Sequence, residues 1–149
     1  MSSPARNEMD VDAFLPWAQG RAGRWELRDG QPVMRAPERA LHALTKYASQ
    51  KVLENGIVRA GLHCRVFPDG MTVRVGGHTA FEPDALVVCP PPSDLNTMEI
   101  PNPVIVVEVR RISDPLSSVR RLTPIAALTY AARSDEGIFR LWTPGIQER

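Results

Sequence analysis

Residues 104–109 read Val-Ile-Val-Val-Glu-Val, an apolar and mostly β-branched run broken by one acid, Glu108. A run of that composition predicts a buried strand. The acid is what constrains the fold. Burying an unpaired carboxylate costs several kcal/mol or more, so a chain that folds around this strand must give Glu108 a partner.

The same conflict occurs at two other places. Glu26 lies in Trp-Glu-Leu, and Asp84 opens the apolar stretch Asp-Ala-Leu-Val-Val. Three carboxylates at strand positions could share one divalent cation. Magnesium takes oxygen ligands from one or two carboxylates and keeps waters for the rest. Such a cation would offset the mutual repulsion of the acids and acidify a water, which is the logic of metal-assisted phosphodiester cleavage. A plainer reading puts each acid on a solvated edge or beside an arginine, with Arg24, Arg28, Arg110 and Arg111 at hand. The combination favours the first reading, because Pro-Asp opens one apolar strand and Glu-x-basic ends the next.

Around these acids the chain reads as alternating helices and strands. Asp10 can cap a short helix through Asp-Val-Asp-Ala-Phe-Leu-Pro-Trp, and residues 1–9 before it read as frayed. Arg-Trp-Glu-Leu-Arg-Asp-Gly-Gln-Pro-Val-Met predicts a hairpin turning at Asp29-Gly30. Residues 37–55 predict the clearest helix, with Leu41, Leu44, Ala48 and Val52 as its apolar stripe and Gly56 as its stop. His42, Lys46 and Gln50 fall four apart on a flanking face; there Lys46 reads as solvated, and His42 as a solvated or hydrogen-bonded histidine with an accessory role at the site as the alternative. Strands follow at 63–67, 71–75 and 80–89, the first two as a hairpin about Pro68-Asp69-Gly70. Beyond Arg110, residues 117–133 read as a helix interrupted by Pro124, and 137–142 as a last strand.

A chain of 149 residues, 43% hydrophobic and 23% charged, can bury one core, so a single domain over 1–149 is expected. The net charge of +1 argues for neither a polybasic arm nor an acidic tail. No apolar run reaches the roughly 20 residues of a membrane span, and MSSPARNEMD holds no apolar signal core, so a cytoplasmic protein is expected. Cys64 and Cys89 match no zinc spacing and read as buried thiols.

Taken in order, MDVDAFLPW, GRWELRDGQPV, APERALHA, CRVFPDGMTVRV, FEPDALVVCPPP and IPNPVIVVEV resemble the Uma2 family of endonucleases (also called DUF820), within the PD-(D/E)xK nuclease superfamily. The likeness runs from about residue 9 to 109. It implies an α/β (α+β) restriction-endonuclease-like core, a central mixed β-sheet flanked by helices, with acids converging at one end of the central strands. By position, Glu26 falls on the family's early glutamate, Asp84 on its Pro-Asp acid, Glu108 on the second core acid and His42 on the histidine opening its first long helix. The resemblance further implies Mg²⁺ or Mn²⁺ held by Asp84 and Glu108, a nucleic-acid substrate (DNA), no membrane, and often a homodimer.

The likeness fades after Val109. The family's Leu-Ser-Pro signature is absent, and no lysine follows Lys51, so the superfamily's basic residue has no lysine to fill it. Arg110, two residues past Glu108 and on the same strand face, stands in for it. It could hold a phosphate but not act as a base. Residues 110–149 therefore read as a divergent tail, natural or from a shifted reading frame. A catalytically inactive relative serving as a binding or assembly module is the alternative to a nuclease.

Overall fold

The structure, a computed structural model, describes residues 8–110, 128–133 and 139–142, with Arg110 and the two later stretches described by their backbone. Helix α1 spans Val11–Gln19 and begins as its sequence predicts. Asp10 is extended and its Oδ1 accepts the N–H of Ala13 at 2.7 Å. The helix lays Val11 and Phe14 against Leu27 and Ala80. The frayed start expected through residue 9 is corrected at its end, since the Met9 N–H donates to the Gly30 carbonyl at 2.9 Å. Residues 1–7 lie outside the described residues.

Strands β1 (Trp25–Arg28) and β2 (Gln31–Met34) form the expected hairpin. Asp29 at φ 47° and Gly30 at φ 75° give the two positive angles that a tight primed turn needs. After helix α2 (Ala40–Ala60) come β3 (Arg65–Pro68), β4 (Val73–Gly76), β5 (Thr79–Phe81), β6 (Ala85–Val88) and β7 (Ile105–Arg110). Strands β8 (Leu128–Arg133) and β9 (Phe139–Trp142) complete the described elements.

The strands divide into two sheets. One is antiparallel with order β2-β1-β5-β4; the other has order β3-β6-β7-β8-β9 and is mixed, because β7 and β8 run parallel. The α/β class with a central mixed sheet is thus present, and α2 packs on β3, β6 and β7 of that sheet. β6 is buried along its whole length, which is why it reads as four apolar residues in a row.

Four expectations are corrected. The strand expected over 80–89 is two strands, broken at Glu82-Pro83-Asp84 where the chain leaves the first sheet for the second. Pro83 has no N–H to give a ladder, so the break falls on it. β3 and β4 do not pair with each other: β3 pairs with β6 and β4 with β5, while Thr72 is bonded to the loop residues Met98 and Ile100. Cys64 and Cys89 are joined as a disulfide, flanking the Arg65–Val88 rung with Cα atoms 4.3 Å apart. The non-local register sets them opposite each other, which their sequence spacing does not reveal. Residues 128–133 form a strand beside β7 where a helix reads locally; pairing with an open sheet edge outweighs helical propensity. The rest of that expected helix lies outside the described residues.

α2 departs most from its sequence reading. It runs through Gly56 and stops at Gly61, whose φ of 62° is the left-handed terminator. Its predicted apolar stripe faces outward, with Leu41 56% and Leu44 65% exposed. The face turned to the sheet carries His42, Lys46, Ser49 and Gln50, followed by half-buried Leu53 and Ile57.

Candidate active site

Asp84 stands at the crossing between the two sheets, held from three sides. Its N–H donates to the Val107 carbonyl at 2.9 Å. Its Oδ2 accepts the Val109 N–H at 2.7 Å, and Gln50 Nε2 donates to its carbonyl at 3.0 Å. These bonds fix the carboxylate and, among the described residues, leave Oδ1 buried with no hydrogen bond. Three nitrogens surround that oxygen: Arg35 Nη2 and His42 Nε2 at 3.5 Å, and Lys46 Nζ at 3.9 Å. All are within ionic reach and all are too far for a normal hydrogen bond.

Glu108 lies between the two valines whose backbone binds Asp84, and its Oε2 is likewise buried without a partner among the described residues. Burial is the main cause that pushes its pKa upward, to about 8; the charges of Asp84 and Glu26 add to it, and Arg35 opposes it. Glu26 is buried on β1, where its Oε2 accepts from Arg28 Nη2 at 2.8 Å. Arg35 Nε lies 3.7 Å from the other Glu26 oxygen, so Arg35 spans Glu26 and Asp84. The structure therefore brings Glu26, Asp84 and Glu108 into one electrostatic neighbourhood, with His42 at its edge.

Lys46 is the chief surprise. The solvated lysine expected from the sequence is buried and donates to Glu38 and, at 2.7 Å, to Asp69. Burial works against its charge, but the hydrogen bonds to Asp69 and Glu38 outweigh it and raise its pKa. Arg24 bonds the same two acids, at 2.6 Å to Asp69 and 3.3 Å to Glu38, and Glu82 at 2.9 Å. Burial of Glu38 and Asp69 favours their protonated forms, yet the neighbouring cations hold both below the ordinary carboxylate range.

Among the described residues, donor atoms of Glu38, His42 and Asp84 lie within 4.8 Å of one another, close enough to hold one cation. Two carboxylates and an imidazole suit a hard or borderline divalent ion, provided His42 is neutral. The unpartnered oxygens of Asp84 and Glu108 point to the same need for positive charge. Arg110 ends β7 with its backbone in register with Arg133; its side chain lies outside the described residues.

Sequence reasoning missed Arg35, Glu38 and the burial of Lys46. A signal existed for two of them, since Glu38, His42, Lys46 and Gln50 recur at every fourth position. Arg35, just after a short strand, carries no local signal of its role.

The sequence model of a family described as "Uma2: Putative restriction endonuclease" matches residues 11–117. Among solved structures, the chain is similar to one described as "a putative nuclease belonging to DUF820", from Anabaena variabilis ATCC 29413. That match has a TM-score of 0.69 and 16% sequence identity, and covers 93% of this chain and 82% of the other. At that identity the likeness is one of fold. No curated protein matches the chain.

Proposed function

This chain belongs to the Uma2 family, and from that premise we propose that it is a divalent-metal-dependent endonuclease hydrolysing phosphodiester bonds of DNA. Asp84 and Glu108 would hold Mg²⁺ or Mn²⁺, with His42 and Glu38 able to contribute on the α2 side. Glu26 would assist by orienting Arg35, and Arg110 would contact phosphate. One observation carries this reading: among the described residues, Asp84 Oδ1 and Glu108 Oε2 are both buried and both without a hydrogen bond. Orphaned buried carboxylate oxygens are costly, and a site that keeps two of them together is shaped for a cation. A bound ion would polarise the phosphate and acidify water. The chain's own part is to fix the acids by backbone bonds and to set Arg35 and Lys46 beside them. In the reaction a water oxygen joins phosphorus, the ester P–O bond breaks, and a proton ends on the leaving sugar oxygen.

Incubating the protein with supercoiled plasmid and Mn²⁺, beside Asp84→Ala, tests this reading. Metal-dependent nicking that the substitution abolishes is the expected result; nicking that survives it would remove the site. Arginine in place of lysine at position 110 favours a second reading, an inactive relative that binds without cutting. Calorimetry separates the two, because Mn²⁺ binding without cleavage supports the binding module. Light scattering tests the dimer that two-strand cutting would call for.

A further inference from the structure

We propose that Lys46 supplies a fixed positive charge to this site from α2, its third N–H contacting the phosphate to be cut; the inference rests on the nuclease reading above. The ammonium group has three donors, and Glu38 and Asp69 take two of them. The third is free. Nζ stands 3.9 Å from Asp84 Oδ1, beside the unpartnered oxygen yet not bonded to it.

The Lys46 side chain is 7% exposed and that of Asp84 is 1%, so the ammonium and the acid are buried side by side. The charge is also held in place. Gln50, one turn further along α2, is bonded to the Asp84 carbonyl at 3.0 Å, which ties this stretch of helix to the site. A preorganised charge of this kind acts on a developing anion without reorganisation at the moment of reaction.

The plainer account is that Lys46 only neutralises Glu38 and Asp69. Arg24 already bonds both acids. Of the two cations on this pair, Lys46 is the one that also reaches Asp84.

The test is binding of a short fluorescein-labelled DNA duplex by the full chain in Mn²⁺, followed by anisotropy over a range of KCl concentrations, together with plasmid cleavage. Each phosphate contact contributes about 0.9 to the slope of log K against log salt. Lys46→Met is expected to lower the slope by about that amount and to slow cleavage by about 100-fold or more. Its Mn²⁺ affinity by calorimetry should be retained, and Lys46→Arg should restore the slope. A Lys46→Met protein with wild-type slope and wild-type cleavage overturns the inference and leaves the nuclease reading standing. Loss of Mn²⁺ binding in Lys46→Met also overturns it, since the lysine would then only support the metal site. A wild-type chain that neither binds nor cuts DNA in Mn²⁺ removes the nuclease reading and this inference with it. Should Lys46→Met fail to fold, Lys46→Met/Asp69→Asn removes one charge of each sign and carries the same comparison.

Discussion

Replacing Glu108 by glutamine in the metal-free protein should leave stability nearly unchanged near pH 5 and raise it at pH 8. In the unfolded chain Glu108 loses its proton near an ordinary 4.5; in the folded chain it does so at about 8. Between those values the folded protein holds a proton that the unfolded chain has released, so stability falls as pH rises. The contribution is fully present below about 4.5 and lost on passing about 8. At roughly 1.4 kcal/mol per pH unit, that gap caps the loss at roughly 5 kcal/mol. Local relaxation and water entry reduce such penalties, which leaves about 2 kcal/mol as the expected difference. Glutamine keeps the shape and the neutral state at every pH. Urea unfolding followed by tryptophan fluorescence, in EDTA from pH 5 to 8, measures the difference between the two proteins; other titrating groups are common to both and cancel. Adding Mn²⁺ at pH 8 should reverse the order, since a ligand at 100 times its Kd adds about 2.7 kcal/mol to the form that binds it. Parallel stability curves for the two proteins would refute both the burial of Glu108 and its coupling to Asp84 and Glu26.

Four further outcomes follow from the fold. Asp10→Ala removes the cap that accepts the Ala13 N–H and should cost about 1 kcal/mol in urea unfolding. Gly30→Ala places a Cβ 2.7 Å from the Glu8 Cβ at a φ of 75°, so it should destabilise by about 1 kcal/mol or more, read as a lower Tm. Leu44→Gln on the outward face of α2 should stay within about 0.5 kcal/mol of the parent. Leu27→Ala, in the core against Phe14, should cost about 2–5 kcal/mol in the same assay.

Local chemistry made part of this fold legible. The Asp10 cap and the Asp29-Gly30 turn follow from what a side-chain oxygen and two positive φ angles do within four residues. The acids were legible for a different reason: each sits where an apolar run predicts burial, and burial of a charge demands an explanation. What depends on distant partners was not legible. The pairing of β3 with β6, the Cys64–Cys89 bond and the strand at 128–133 are each decided by an element far along the chain.

α2 shows how a sound local rule can point to the wrong face. Its sequence holds two stripes at helical spacing, one of leucines, alanine and valine, and one of His42, Lys46 and Gln50 that continues the four-residue spacing from Glu38 just before the helix. Turning apolar residues inward assumes that the surface they meet is apolar. Here the surface holds Asp84, whose Oδ1 has no backbone donor and whose carbonyl needs Gln50. Covering it with leucines would bury a bare carboxylate, at a cost that exceeds the roughly 1.5–3 kcal/mol gained by burying one such side chain. The polar stripe therefore faces the sheet, and Leu41 and Leu44 are left in solvent. The choice of face follows from the acid just before β6, so the residues that build the site also set the orientation of the helix that covers it.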